Sequence, residues 1–266
     1  MDKVGELSKQ QKEDEKLLLA KIVDKIKMAE GRNRFQNTDF LNLAEQASVM
    51  KLLETRNCDI YEMWGGFPQA ERKMLIIFPQ NIATENYKFK IYNQIMTVLR
   101  ITLPKELWGT YEHKTYLGAL IKTGVIREKI GDIIVKNNGA DIIISADMIK
   151  FLDMNLSSLT RFQKSKIEFL KLEELEYVEP KKEILKITVA SMRLDCIVAE
   201  LARCSRLESA ELIKAERVFV NYKEELVGSK QIKENDTITI RGKGRFKISK
   251  IIGNTRKGKI SIEIEK

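Results

Sequence analysis

Ser191 to Lys223 reads SMRLDCIVAELARCSRLESAELIKAERVFVNYK, and helix, turn and strand signals follow one another along it. Leu194, Ile197, Val198 and Leu201 recur at helical spacing, which predicts a first helix. Ser205 and Glu208 stand three apart, the spacing of a capping box. There the hydroxyl accepts a first-turn N–H and the carboxylate reaches back to the cap, so a second helix starts at this point. Leu207, Ala210, Leu212 and Ile213 supply its apolar positions, and Val218-Phe219-Val220 reads as a strand. Asn221 suits the left-handed conformation of a tight turn. The polar residues left outside a helical hairpin of this kind include Arg193, Arg203, Arg206, Lys214, Arg217 and Lys223, several of which can face one partner.

Charge points the same way. Of the 266 residues, 181–266 hold 20 Lys/Arg against 12 Asp/Glu, whereas 1–180 hold 27 against 26. Nearly all of the net +9 therefore sits in the last third, the footprint of a polyanion-binding module joined to a near-neutral body. Downstream of the strand Thr237 to Ile240, Arg241-Gly242-Lys243-Gly244-Arg245-Phe246-Lys247 places four cations in seven residues. Its two glycines allow the backbone to approach a phosphate closely. Lys250 to Lys266 reads as a final hairpin turning between Asn254 and Gly258.

Arg193-Leu194-Asp195, Ser205-Arg206, Leu212-Ile213-Lys214, Val218-Phe219-Val220-Asn221 and Asn235-Asp236-Thr237-Ile238 together resemble the small RNA-binding domain named after ribosomal small-subunit protein four. That family usually carries Gly at the end of the second helix, where this chain has Glu216. The resemblance implies an RNA-binding face made of Arg193, Arg203, Ser205, Arg206, Lys214, Arg217, Asn221, Lys223, Arg241, Lys243, Arg245 and Lys247.

Nearer the N-terminus, Lys9 to Glu30 is charged and helix-favouring, with Leu17, Leu18, Ile22, Ile26 and Met28 as one stripe. Thr38 or Asp39 is placed to cap a second helix from Phe40 to about Arg56, giving a helical N-terminal region over 1–58. Trp64-Gly65-Gly66-Phe67-Pro68 marks a restricted turn before the strand-like Met74 to Phe78. Lys88 to Leu103 reads as strand. A short helix from Tyr116 stops at Gly124, and Asn137-Asn138-Gly139 turns a hairpin between a strand ending at Val135 and Asp141 to Ser145. Ala146 to Leu156 is helical and Ser165 to Leu172 a strand. This order predicts an α+β middle domain over 59–172, an RRM-like α/β sandwich with helices on one face of the sheet. A charged, solvated linker over 173–182, containing Glu173, Glu174, Glu176 and Glu179, joins it to an α+β domain over 183–266.

Gly65-Gly66-Phe67 with Ala70-Glu71-Arg72-Lys73, His113 with Tyr116-Leu117-Gly118-Ala119-Leu120, and Arg127-Glu128-Lys129-Ile130-Gly131-Asp132-Ile133 resemble the YlmH-type RNA-binding proteins. The family commonly has Arg-Asp after the histidine, where Lys114-Thr115 stands here. The resemblance spans about residues 60 to 266. It implies a protein of the bacterial cytosol that binds structured rRNA or tRNA, whose relatives engage large ribosomal subunits obstructed by peptidyl-tRNA and assist quality control of stalled translation.

Signals for catalysis are sparse. Arg193-Leu194-Asp195 mimics a pseudouridine-synthase signature, but Met192 precedes it and Cys196-Ile197-Val198 follows it on a helix, so Asp195 reads as a cap or ion-pair partner. His113, the sole histidine, forms no His-based metal centre or adenylate motif, and no glycine-rich nucleotide loop is present. We expect no enzyme activity, no metal and no cofactor; an RNA-modifying enzyme and a ribosome-assembly or cell-division scaffold are the alternatives. Cys58, Cys196 and Cys204 lack metal or disulfide spacing and read as buried thiols of a reducing cytosol. The apolar runs are too short to span a bilayer, and a monomer is expected when the protein is free.

Overall fold

A computed structural model of the protein describes residues 3–32, 34–56, 58–79, 85–156, 159–177, 183–255 and 258–266, with side chains other than those of residues 3–12, 32, 85, 86 and 223. The chain is α+β and divides into two units, Met1–Val178 and Glu179–Lys266.

In the first unit, the charged N-terminal run forms α1 (Lys3–Arg32), which buries Ile22, Ile26 and Ala29. The next helix does not start where expected. Gln36–Asn37 is a short strand, β1, and α2 runs from Leu43 to Thr55 with Asn42 as its cap. Asn42 accepts from the Ala44 and Glu45 amides, and Glu45 returns to the Asn42 amide. Thr38 cannot serve as cap because it is buried, with its hydroxyl accepting from the Leu75 amide. Phe40 is likewise drawn into a core before the helix begins. β2 (Tyr61–Trp64) and β3 (Met74–Ile77) complete a sheet of order β1-β3-β2. The region over 1–58 is thus not purely helical, since its strand pairs with residues 76 and 77. α1 and α2 pack on this sheet through Ile22, Ile26, Val49, Leu53, Leu75 and Ile77.

Lys88 to Leu103, expected as strand throughout, is divided. Glu85–Ile95 is a helix, α3, and only Met96–Thr102 is a strand, β4. Ile91 and Ile95 lie one helical turn apart, whereas from Met96 onward the chain pairs residue by residue with Gly139–Ser145. After β4 come α4 (His113–Lys122), β5 (Ile130–Lys136), β6 (Gly139–Ser145), α5 (Ile149–Leu156) and β7 (Lys166–Leu170). The antiparallel sheet has the order β5-β6-β4-β7, a split βαββαβ arrangement of the expected RRM-like kind.

Leu99, Ile101, Ile142 and Ile144 meet Tyr116 and Leu120 of α4 and Leu152 and Leu156 of α5 on one face of this sheet. The opposite face is not open. Val98 and Ile143 are covered by Phe40, Phe67, Met74 and Ile76 and by Ile91 and Tyr92 of α3. Phe40 lies so close to Gly131 that a Cβ there would come within 2.9 Å of its ring. An RNA-recognition sheet binds bases on its open face; here the N-terminal sheet and α3 occupy that face.

The acidic stretch after β7 also departs from a solvated linker. The Tyr177 ring packs tilted against Phe67, with centroids 4.4 Å apart. Glu176 pairs with Arg100 at 2.9 Å and Lys136 at 2.8 Å, and its amide donates to Asp141. The packed body therefore continues through residue 177. The expected linker residue Glu179 lies outside the described residues.

In the second unit, β8 (Ile184–Val189), α6 (Leu194–Ala202), α7 (Arg206–Lys214), β9 (Val218–Val220), β10 (Lys223–Glu224), β11 (Thr237–Ile240), β12 (Gly244–Asn254) and β13 (Ile260–Glu265) form one antiparallel sheet of order β10-β9-β11-β12-β13-β8 beside two helices. Leu194, Ile197, Val198 and Ile213 fill the helix face of the core against Val218, Val220, Ile238, Ile240, Phe246 and Ile264. Leu207 is not among them. It is 74% exposed, and Ser209 occupies the buried position of that turn. Cys58, Cys196 and Cys204 are free thiols, of which only Cys196 is fully buried. Among the described residues no helix is long and apolar enough to cross a membrane, and no three His, Cys, Asp or Glu residues converge on a metal position.

Candidate nucleic-acid interface

The start of α6 and the start of α7 meet at one carboxylate. Asp195 accepts a bidentate contact from Arg193 (Nε to Oδ1 3.1 Å, Nη2 to Oδ2 2.7 Å) and a further bond from Arg206 Nη2 at 3.0 Å. Ser209, one turn into α7, closes the junction by donating to the Asp195 carbonyl at 2.9 Å. The Arg193 bonds hold the Asp195 carboxyl well below the usual carboxylate range, against the opposing pull of partial burial, and Arg206 adds to the effect. One buried anion thus fixes two guanidinium groups whose side chains remain 40% and 61% exposed, with further N–H donors not used by Asp195.

α7 begins as the sequence predicts. Ser205 accepts from the Glu208 amide at 3.2 Å while Glu208 accepts from the Ser205 amide at 2.7 Å. The Ser205 hydroxyl is therefore engaged as a cap. Arg203, just before it, is exposed and left-handed, with φ 53°. Lys214 projects from the last turn of α7, and Glu216 then adopts φ 58°. The turn for which glycine is the usual solution is thus made here by glutamate.

Beyond it, the Gly-rich turn folds back on the helical hairpin. Arg241 donates its amide to the Arg217 carbonyl at 2.9 Å, and Arg217 Nη2 returns to the Arg241 carbonyl at 3.2 Å. Gly242 and Gly244, with φ of 82° and 120°, give the turn its shape. The Arg241 guanidinium lies over the Phe219 ring at 4.9 Å, and that of Arg245 over the Tyr222 ring at 5.3 Å. Among the described residues Arg203, Lys214, Arg217, Arg241, Lys243 and Lys247 have no carboxylate partner.

The expected site residues thus fall into a pair locked on Asp195 and a cluster around the Gly-rich turn. Asn221 is committed within the fold. Its amide donates to Asp236 at 2.8 Å and its side-chain carbonyl accepts from the Thr237 amide at 2.9 Å. The Lys223 side chain lies outside the described residues. Phe219 and Tyr222 were not among the expected site residues. The Val-Phe-Val alternation carries the signal for the first, since it sends Phe219 to the face opposite the buried valines.

The motifs of the first unit serve cohesion. Asp132 accepts the Glu71 and Arg72 amides at 2.6 and 3.0 Å, and Arg72 donates to the carbonyls of Ile130 and Phe40, both at 2.9 Å. Arg127 is pushed down to about 10 by burial and by the neighbouring Arg72. Burial and the Arg127 charge lower His113 as well, against Asp132. The two motif halves form one clamp between the N-terminal and middle sheets.

A two-unit α+β chain with a covered recognition-type sheet and a basic second unit bearing guanidinium–aromatic pairs has the features of a candidate nucleic-acid-binding protein. Comparison with known proteins narrows this. Residues 14–82 match the family model "YlmH, N-terminal", and residues 90–178 match "Putative RNA-binding domain in YlmH". The chain is 31% identical over 256 residues, covering 96% of each sequence, to the ribosome-associated protein quality control protein P2 of Bacillus subtilis (strain 168). It belongs to the YlmH family. A solved structure, the cell division protein ylmH from Streptococcus pneumoniae, aligns with a TM-score of 0.48 and 20% identity over 61% of this chain and 95% of that one.

Proposed function

We propose that this protein binds structured rRNA or tRNA through its second unit, on the large ribosomal subunit, in the quality control of stalled translation. The carrying observation is the Asp195-locked pair Arg193 and Arg206, together with a Gly-rich turn whose Arg241, Lys243 and Lys247 have no carboxylate partner among the described residues. Such groups neutralise phosphates and release counterions, while a fixed hairpin selects a folded RNA shape over a single sequence. The full-length kinship with a Bacillus subtilis protein named for ribosome-associated quality control supports the ribosomal setting. The plugged sheet of the first unit argues that base recognition does not pass through its RRM-like face.

No chemistry is asked of the protein in this role. Both Asp195 oxygens already accept from arginines, which leaves it ill suited to act as a nucleophile. The reading is tested by changing Arg206, Lys214 and Arg245 together to Glu and measuring affinity for tRNA and for large-subunit rRNA fragments. Affinity is expected to fall beyond detection while the circular-dichroism melt is retained. Wild-type affinity in a folded triple variant would overturn it.

A further inference from the structure

Two aromatic rings stand on the face of the second unit's sheet turned away from α6 and α7. Phe219 lies between the buried Val218 and Val220, so it points away from the core. Its direct cross-strand neighbour is Thr239, and Thr239 in turn faces Arg245, so the three form one row across β9, β11 and β12. The Thr239 hydroxyl is buried within this row and has no hydrogen-bond partner among the described residues. Tyr222 closes the β9–β10 turn. Val220 pairs with Lys223, which leaves Asn221 and Tyr222 as a two-residue loop with φ of 50° and 65°.

A loop of that shape favours Asn-Gly, because both central residues need positive φ. Asn221 fits and is pinned by Asp236 and Thr237. Tyrosine at the second position carries strain that glycine would avoid, and such strain persists where the side chain is needed. Tyr222 contributes a ring capped by the Arg245 guanidinium, and Phe219 a ring capped by Arg241.

We propose that this face is a stacking platform for unpaired nucleobases: Phe219 and Tyr222 take the base faces, and Arg241 and Arg245 swing from the rings to the flanking phosphates. Guanidinium and base are alternative partners for the same ring face, and base stacking on aromatics tolerates any sequence. The inference rests on the RNA-binding reading and adds its ligand class, a stem-loop whose loop bases are splayed out rather than a continuous duplex.

The test uses two RNAs with the same stem, one closed by an unpaired loop carrying 2-aminopurine and one continued as a duplex. Wild type is expected to bind the stem-loop more tightly and to quench the fluorophore. Tyr222→Gly removes the ring while relieving the turn, so it is expected to fold at least as stably. It should lose about 5- to 100-fold in affinity for the stem-loop and little for the duplex. Phe219→Leu, which keeps apolar area without an aromatic face, should behave alike, and Tyr222→Phe should retain wild-type binding. Equal stem-loop affinity in wild type, Tyr222→Gly and Phe219→Leu would overturn the platform while leaving the RNA reading intact. Failure of wild type to bind either RNA would overturn both.

Discussion

Asp195 shows how much one residue organises at the candidate interface. Replacing it by Asn keeps the shape but removes the charge that holds Arg193 and Arg206. We expect Asp195→Asn to destabilise the second unit by about 1–3 kcal/mol in a denaturant titration and to weaken RNA binding through loosened guanidinium groups. Its carboxyl is depressed in the fold, so its contribution is fully present above the unfolded value near 3.9 and is lost as pH falls through the folded value. Wild type should therefore lose stability below about pH 4 more steeply than the Asn variant. Glu216, at φ 58°, gives a prediction of opposite sign. Glu216→Gly should stabilise by about 0.5–1 kcal/mol in a thermal melt, since the steric relief exceeds the added chain entropy. Local chemistry was the most legible part of the sequence. The Ser205–Glu208 box lies where its spacing places it, because both partners are on one exposed helix start. Thr38 and Asp39 looked equally able to cap, but the burial of Thr38 and Phe40 passed that role to Asn42, and no local pattern reports such long-range demands.

Elements were legible where periodicity was clean. The hairpin turning at Asn137 to Gly139 and the helices α6 and α7 follow from turn chemistry and spacing. The boundary between α3 and β4 was lost, because Ile91, Ile95, Val98, Leu99 and Ile101 offer partial matches to both periods. A second misreading was chemical: the acidic stretch after β7 looks solvated, yet its Glu176 completes a network around Asp141. That buried carboxylate receives Arg100 at 2.8 and 2.7 Å and Lys136 at 2.9 Å, tying β6 to β4 and β5. Burial alone would raise its pKa, but the Arg100 and Lys136 bonds outweigh it and hold the carboxyl below its usual value. Asp141→Asn leaves Arg100 and Lys136 sharing only the more exposed Glu176 as a carboxylate partner among the described residues, and should cost about 3 kcal/mol, read as a lowered urea midpoint of the first unit. Acid should erode the same contribution in wild type, again as pH falls below the unfolded carboxylate value.

For the whole molecule, composition located the basic unit and element order suggested a recognition-type sheet. Which face of that sheet stays open was not legible, since Phe40, Phe67 and Met74 are distant in sequence from Val98 and Ile143. Their packing covers that face, and the expected RNA-binding residues all lie in the second unit. Binding should then be strongly salt-dependent. The log–log slope of affinity against salt should become shallower by about 2–3 when Arg206, Lys214 and Arg245 are neutralised together to Gln, each lost phosphate contact removing about 0.7–0.9. An unchanged slope would place the phosphate contacts elsewhere.

The most direct measurement is ultraviolet cross-linking of the protein in cells with and without a translation-stalling drug, reading both the RNA and the peptide of each adduct. The account predicts adducts joining large-subunit rRNA or tRNA to peptides within residues 191–247, and more of them when translation stalls. Adducts confined to residues 1–178, or a protein that runs free of ribosomes under both conditions, would contradict it.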